Sequence, residues 1–416
     1  MQQPTKRAAI SLECPRSHQS SFGERTYPSL PDHPTPHLLL TSVAKHATPR
    51  DELGCGTNGA PRQLPNTSGV TWRRVIRMQT QQIPVAPAPW ALILAGGEGR
   101  RLQSLTTLPS GTAVPKQFCS LTGERTLLED TIERARGTTV ADRICTIVDE
   151  RHREFWTDLV QDVRSSNVIV HPWSRGTAIG ILHSLLVIDA NGWGREAKIV
   201  ILPADHYVRD EQVLRHAINA ALQVVYQGDA TPILLGIRPE HADPELGYIL
   251  PGDADAAGCK VVRRFVEKPP ARIADEVVKA GGLWNSFILV ASTQQLLRMF
   301  MAKYGALMVE MQAVIRRARS QVRDNAGWFA IMDLYERLPT LDFSRDIIED
   351  QAKRWRVMEV PNCGWSDLGT PTRVIETLRR CASAGSTQAR DTNRYINLRL
   401  SASEHLGFGE PTMGSI

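Results

Sequence analysis

The sequence predicts an α/β fold: a Rossmann-like, mainly parallel (mixed) sheet with helices on both faces. Three observations carry that expectation. Short runs that are apolar throughout alternate with helical patterns of ten to eighteen residues, as strands buried on both sides and joined by crossovers require. Glycine-rich or polar clusters stand directly after several of those runs. In such sheets ligands sit beyond the carboxyl ends of strands, near the point where strand order reverses, and the clusters fall there.

WALILA (90–95) is fully apolar, ends at glycines and reads as the first strand. LLEDTIERARG (127–137) spaces its apolar residues for a helix, and DRICTIVD (142–149) is the next strand. NVIVHP (167–172), TAIGILHSLLVIDANG (177–192) and AKIVILPADHYV (197–208) make a strand–helix–strand unit. EQVLRHAINAALQVVYQG (211–228) is a helix stopped by Gly228, and TPILLGI (231–237) is a further strand. His183 and His216 lie within apolar helices and read as packed or edge histidines. Trp328, Phe329 and Tyr335 read as helix-face packing.

The flanks differ from this pattern. Residues 1–85 are rich in Pro, Ser, Thr, Gly and His without periodicity, a composition that cannot offset its chain entropy by burial. They are expected to be a disordered extension, with a translation start at Met78 as the alternative. WRRVIRM (72–78) is a short basic patch within it and reads as solvated. A folded domain is expected over 86–382 and a loosely ordered tail over 383–416. About 35 residues follow Cys381, too few for a second folded domain.

Net charge is +5, and residues 1–85 carry all of it, with ten Lys/Arg against five Asp/Glu. The remainder is neutral, which argues against a nucleic-acid partner, since that needs a basic face. Seven scattered cysteines without a C-x-x-C pair are neither a zinc pattern nor a disulfide framework. They fit a reducing cytoplasm. No apolar run approaches the length of a membrane span, so no membrane partner is expected. The oligomeric state stays open, a homo-oligomer included.

Three constellations carry chemistry. LAGGEGRRL (94–102) with VPKQF (114–118) packs glycines, arginines and a lysine into one short stretch. It reads either as a loop whose backbone N–H groups and basic side chains enclose phosphates or as a glycine-rich turn with solvated arginines. It is neither a P-loop nor G-x-G-x-x-G. Asp205 in PADH and Asp367 in WSDLG could hold a divalent cation against a triphosphate. Alternatively Asp205 caps a turn and Asp367 the helix near Thr370. FVEKPP (265–270) sets an acid and a base in tandem after a strand, to face a hydroxyl and a phosphate or to form an exposed ion pair worth little.

Taken in order, these motifs resemble the signature of the sugar-1-phosphate nucleotidylyltransferases. The match comprises G-G-x-G-x-R-L (Gly96 to Leu102), Leu105–Thr106, P-K-Q-F (Pro115 to Phe118), RGTA (Arg175–Ala178), PADH (Pro203–His206), LGYI (Leu246–Ile249), VEKP (Val266–Pro269), LWNS (Leu283–Ser286) and GWSDLG (Gly364–Gly369). It covers about residues 88–380. Glutamine after the lysine resembles the mannose-1-phosphate guanylyltransferase branch.

The resemblance implies a fold of the nucleotide-diphospho-sugar transferase type. It also implies transfer of a nucleotidyl group from a nucleoside triphosphate, GTP being expected, to a sugar 1-phosphate, expected to be mannose 1-phosphate. By the same resemblance Ala95, Gly96, Gly97, Gly99, Arg101, Lys116, Gly176 and Thr177 bind the nucleotide, with RGTA near the base and Thr177 at a helix N-terminus, where it also reads as an N-cap. Arg101, Lys116 and Asp205 are the catalytic residues, and Asp205 with Asp367 holds magnesium. Gly247, Glu267, Lys268 and Asn285 form the sugar-phosphate side.

Three departures stand out. Phe287 occupies a position that is commonly glycine after W-N-[ST]. Ser344 stands where an aspartate often precedes a glutamate, here Glu349, by five residues. Ser110–Ala113 is an insertion before VPKQF. Rival expectations are a glucose-1-phosphate uridylyl- or thymidylyltransferase and a non-catalytic nucleotide-sugar-binding regulator. A molybdenum-cofactor guanylyltransferase would not be expected to carry VEKP, LWNS and WSDLG.

Overall fold

Trp90–Ala95 forms the strand β1, paired with parallel strands on both sides, and its side chains, all but that of partly buried Leu94, are buried because packed layers cover both faces of the sheet. The structure, a computed structural model, describes residues 87–383 except 109, 121–124, 193–195, 229–230 and 321–325. The expected N-terminal extension, Met78, the WRRVIRM patch and the tail beyond 383 lie outside the described residues.

In chain order the main elements are β1, α1 (Leu127–Arg136), β2 (Ile144–Asp149), β3 (Val168–His171), α2 (Gly176–Ala190), β4 (Lys198–Pro203), α3 (Glu211–Tyr226) and β5 (Ile233–Ile237). There follow β6 (Tyr248–Ala254), β7 (Lys260–Val266), α4 (Ala271–Lys279), β8 (Leu283–Ser292), α5 (Thr293–Ser320), α6 (Ala326–Arg337), β9 (Arg356–Val360) and α7 (Pro371–Ser383). Local chemistry sets their ends. Thr126 and Glu129 close a capping box on α1, the Thr126 N–H donating to the Glu129 carboxylate at 2.7 Å. Asp210 caps α3 by accepting from the Val213 N–H. α5 is broken at Tyr304, whose φ/ψ is non-helical.

Nine strands form one mixed sheet in the order β3-β2-β1-β4-β8-β5-β9-β7-β6. Pairing is parallel across β3–β2–β1–β4 and at β5–β9, and antiparallel at β4–β8, β5–β8, β9–β7, β7–β6 and β6–β8. One apolar layer packs α1 and α3 against one face. Another packs α2, α5 and α6 against the other. The chain runs outward from β1 to β2 and β3, then crosses to β4 on the other side of β1. The switch point therefore lies between β1 and β4, where Leu94 is in register with Pro203. LAGGEG leaves β1 and PADH leaves β4 at that point.

The insertion Ser110–Ala113 is tied back onto the preceding residues: Thr107 and Ala113 bridge, and the Leu108 N–H donates to the Thr112 carbonyl. His183 is buried with its Nδ1 2.7 Å from the Tyr335 hydroxyl, and His216 is exposed. Phe329 corrects the packing expectation, because at 63% exposure it lies on the outer side of α6.

Candidate active site

Lys116 sits where two loops meet. Its side chain is 10% exposed, and its Nζ lies 3.0 Å from Asp205 Oδ2 while donating to the Asp367 carbonyl at 2.7 Å. Asp205 follows β4 and Asp367 follows β9, so the contact depends on how those two loops are joined. An antiparallel bridge joins them: Tyr207 and Ser366 exchange both backbone hydrogen bonds at 2.9 Å. The two aspartates flank this bridge, with the lysine between them. Burial alone would raise the Asp205 pKa. The Lys116 ammonium and the neighbouring His206 outweigh it and hold the carboxyl below its ordinary range. Burial in turn pushes His206 down to about 4, and its Nδ1 accepts from the Trp365 indole at 3.3 Å.

Gln117 organises the glycine loop. Its buried amide nitrogen donates to the carbonyls of Ala95 at 3.0 Å and Gly97 at 2.7 Å, which leaves the loop's N–H groups for a ligand. Gly99 takes φ 61° at the start of the helical turn carrying Arg101. Beneath the loop, a Cβ on Gly96 would overlap the imidazole of His171. His171 is 3% exposed, is pushed down to about 4 by burial and has neither ring nitrogen hydrogen-bonded among the described residues. Arg101 points across the cleft to Glu245 at 2.8 Å, both side chains half exposed. An ion pair that open gives up little when phosphate replaces the carboxylate.

Gly176 opens α2 at φ 84°, and a Cβ there would overlap the Leu341 carbonyl. The Ala178 N–H donates to that carbonyl, and Thr177 Oγ1 accepts from the Phe343 N–H at 2.8 Å. Thr177 is thus not the helix N-cap, which is Arg175 without a side-chain cap bond. Its hydroxyl straps RGTA to residues 341–343. Asp367 is no helix cap either. Thr370 caps α7 through the Arg373 N–H, with Pro371 at the first position. Asp367 accepts instead from the Gly369 N–H at 3.0 Å and faces Arg373 Nε at 3.0 Å.

The sugar-side residues meet where three strand ends adjoin. Gly247 precedes β6, Glu267 follows β7 and Asn285 lies near the start of β8; the Asn285 N–H donates to the Gly247 carbonyl at 2.8 Å. Glu267 Oε2 lies 2.6 Å from where a Cβ of residue 247 would stand, so any larger residue there would displace the carboxylate from this position. Burial raises the Glu267 pKa and Asp342 adds to it, against the lowering effect of Lys268 and of a hydrogen bond from Ser344. Lys268 Nζ is 3.5 Å from Glu267 Oε1 and half exposed, with its backbone at φ 46°.

The geometry thus joins Lys116, Asp205 and Asp367 in one group and Gly247, Glu267, Lys268 and Asn285 in another. The glycine loop leaves β1, and Gly176–Thr177 comes after β3, two strands along in the sheet. Gln117 and His206 are further site residues that the motifs contained without assigning, while His171, at the end of β3, and Ser344, noted only as a departure, lie outside the motifs. Only burial and hydrogen bonding in the folded chain single them out. The first group has the chemistry a divalent cation takes: Asp205 and Asp367 supply hard carboxylate oxygens on two bridged loops, and Asp205 is held ionised. No cluster of three or more His, Cys, Asp or Glu suited to a metal occurs among the described residues. Two carboxylates suit an ion that draws its other ligands from phosphates and water.

A sheet with its switch point under a glycine loop, and a lysine held between the Asp205 carboxylate and the Asp367 carbonyl, place the chain among α/β proteins with a ligand cleft at the switch point. The chain belongs to the nucleotidyl transferase family, whose profile matches residues 90–383. It is 28% identical over 284 residues to a mannose-1-phosphate guanylyltransferase of Salmonella typhimurium, covering 67% of this chain and 56% of that one. It is 29% identical over 308 residues to the alginate biosynthesis protein AlgA of Pseudomonas aeruginosa, covering 71% and 60%. The chain thus spans less than two thirds of the length of these relatives.

A Thermus thermophilus structure described as a mannose-1-phosphate geranyltransferase superposes with TM-score 0.57 at 26% identity, covering 70% of this chain and 78% of that one. A Helicobacter pylori structure described as a mannose-6-phosphate isomerase shares the fold at TM-score 0.51 and 20% identity, covering 67% and 99%. Nucleotidyl transferases of this family generally use divalent metal ions. No helix among the described residues is long and apolar enough to cross a membrane.

Proposed function

We infer that the chain is a sugar-1-phosphate nucleotidyltransferase that joins GTP to mannose 1-phosphate, giving GDP-mannose and pyrophosphate. The supporting observation is Lys116, nearly buried, ionically paired with Asp205 and hydrogen-bonded to the main chain beside Asp367. The choice of GTP and mannose 1-phosphate rests on the relatives' names.

The sugar phosphate oxygen is already a nucleophile, so no general base or covalent intermediate is needed. It attacks the α-phosphorus of the triphosphate, and the bond from that phosphorus to the α–β bridging oxygen breaks. Pyrophosphate leaves with the electron pair. The protein's task is to align two polyanions and offset their repulsion. Lys116 bridges the attacking and α-phosphates, exchanging its hold on Asp205 for phosphate oxygens. Arg101 releases Glu245 to meet charge developing toward the pyrophosphate. Lys268 anchors the sugar phosphate, while Glu267 and Asn285 hold sugar hydroxyls. Asp205 and Asp367 are the residues that would hold magnesium, which when bound neutralises triphosphate charge. The catalytic domain is residues 86–382, and the free cysteines among the described residues fit a cytoplasmic enzyme.

Pyrophosphate release, measured with magnesium across four nucleoside triphosphates and mannose, glucose and related sugar 1-phosphates, tests this reading. Release is expected with GTP and mannose 1-phosphate, reduced about 100-fold or more in Lys116→Ala and Asp205→Asn. Turnover with another pair would keep the mechanism and replace the substrates. Nucleotide binding without release from any pair would make the chain a regulator.

A further inference from the structure

Three non-glycine residues among those described have left-handed backbones: Lys268, Phe287 and Leu368. Such conformations persist only where the surrounding structure over-determines them. Lys268 and Leu368 directly follow Glu267 and Asp367. Phe287, at φ 58°, follows Asn285 by two residues and takes no part in the chemistry above. Its N–H donates to Asn285 Oδ1 at 3.1 Å. That bond fixes the orientation of the Asn285 amide: its oxygen is committed to the main chain, so its N–H groups are the ones left for a ligand.

The Phe287 ring supplies the constraint on the turn. It meets the ring of Phe343 edge-on, with centroids 6.0 Å apart. Phe343 is fully buried, rests in turn on Phe300 and Trp355, and donates its N–H to Thr177. The next residue, Ser344, is buried and hydrogen-bonds Glu267. One segment, Phe343–Ser344, therefore supports both polar groups of the sugar side: Ser344 touches Glu267, and Phe343 backs the turn that orients Asn285. An amide donor and a carboxylate acceptor on either side of Gly247 suit adjacent hydroxyls of a hexose.

We propose that Phe287 is a positioning residue for the sugar subsite, its ring seated on Phe343 so that Asn285 presents its amide N–H groups to the sugar. The proposal rests on the functional reading given above. Phe287→Gly separates ring from backbone, since glycine adopts the same left-handed turn without penalty. Steady-state kinetics of pyrophosphate release are measured with GTP and mannose 1-phosphate varied in turn, beside a thermal melt.

Phe287→Gly is expected to raise the KM for mannose 1-phosphate about tenfold. The KM for GTP should stay within about twofold, at an unchanged or higher melting temperature. Phe287→Tyr, which keeps the ring, should restore the sugar KM. An unchanged sugar KM in Phe287→Gly overturns the proposal, as does an equal rise in both KM values. If Phe287→Gly melts early, Phe287→Leu serves instead, and an unchanged sugar KM there overturns the proposal equally. Failure of the wild-type chain to turn over any pair overturns the functional reading and this inference with it. Wild-type turnover with an unaffected variant overturns the inference alone.

Discussion

At the scale of single residues, the site is governed by charges held out of water. Lys116 is tolerable at 10% exposure because a carboxylate and a carbonyl accept from it. Removing the carboxylate outright leaves a stranded ammonium, at a cost of about 3–5 kcal/mol. Asp205→Asn is therefore a cleaner probe of catalysis than Asp205→Ala, and denaturant midpoints of the two variants should differ in that sense.

Glu267 and Asp205 are perturbed in opposite directions, which separates two pH effects. The Asp205 pKa is lowered, so its stabilisation is complete above the ordinary carboxylate range and is lost only as pH falls through the depressed value. The Glu267 pKa is raised, so its ionised form weakens the fold, and that penalty is relieved as pH falls through the elevated value. Sugar affinity should follow Glu267. The KM for mannose 1-phosphate is expected to begin rising on acidification above the ordinary carboxylate range, while far-ultraviolet circular dichroism shows the chain still folded. Glu267→Gln should abolish that limb. A limb that survives in Glu267→Gln belongs to another group.

At the scale of elements, short segments hold the catalytic pieces to the sheet. Gln117 ties its own helical turn to the carbonyls of the glycine loop, so Gln117→Ala is expected to weaken nucleotide binding about tenfold, with little effect on the sugar KM. RGTA is strapped to residues 341–343 by close backbone approach at Gly176. Gly176→Ala forces a left-handed alanine into the Leu341 carbonyl and should cost about 3 kcal/mol. Urea unfolding should show a lower midpoint at an unchanged m-value. Ser344 and Glu349 are the two ends of one π-helical turn, an irregularity common at functional sites. The turn places Ser344 against Glu267.

At the scale of the whole molecule, both groups of candidate residues stand at strand ends of one nine-stranded sheet, and ligands that bind only the folded chain must stabilise it. GTP at about a hundredfold over its Kd, with magnesium, contributes roughly 2.7 kcal/mol. That corresponds to a rise in melting temperature of about 5 °C or more. Chelation of the metal is expected to remove most of the rise, and Asp367→Asn to do the same. A rise indifferent to chelator and to Asp367→Asn would remove magnesium from the site.

The sequence by itself determined the alternation of strands and helices, the place of the ligand edge and the identity of the motif residues. Apolar periodicity and chain punctuation are local, and the glycine loop, RGTA and PADH directly follow or open an element that periodicity marks; β6 to β9, which carry the later motifs, came from the tertiary structure. Only the tertiary structure decided which motifs meet. The loops of Asp205 and Asp367, far apart in the chain, are joined by the Tyr207–Ser366 bridge, with Lys116 held between them, and no local pattern encodes that pairing. Thr177 and Asp367 read equally well as helix caps from their neighbours. Packing against Phe343 and Arg373 assigned them otherwise. His171 and Ser344 became site residues only when burial brought them against Gly96 and Glu267. A side chain's protonation and hydrogen-bond partners depend on everything that excludes water around it, and that is a property of the packed fold.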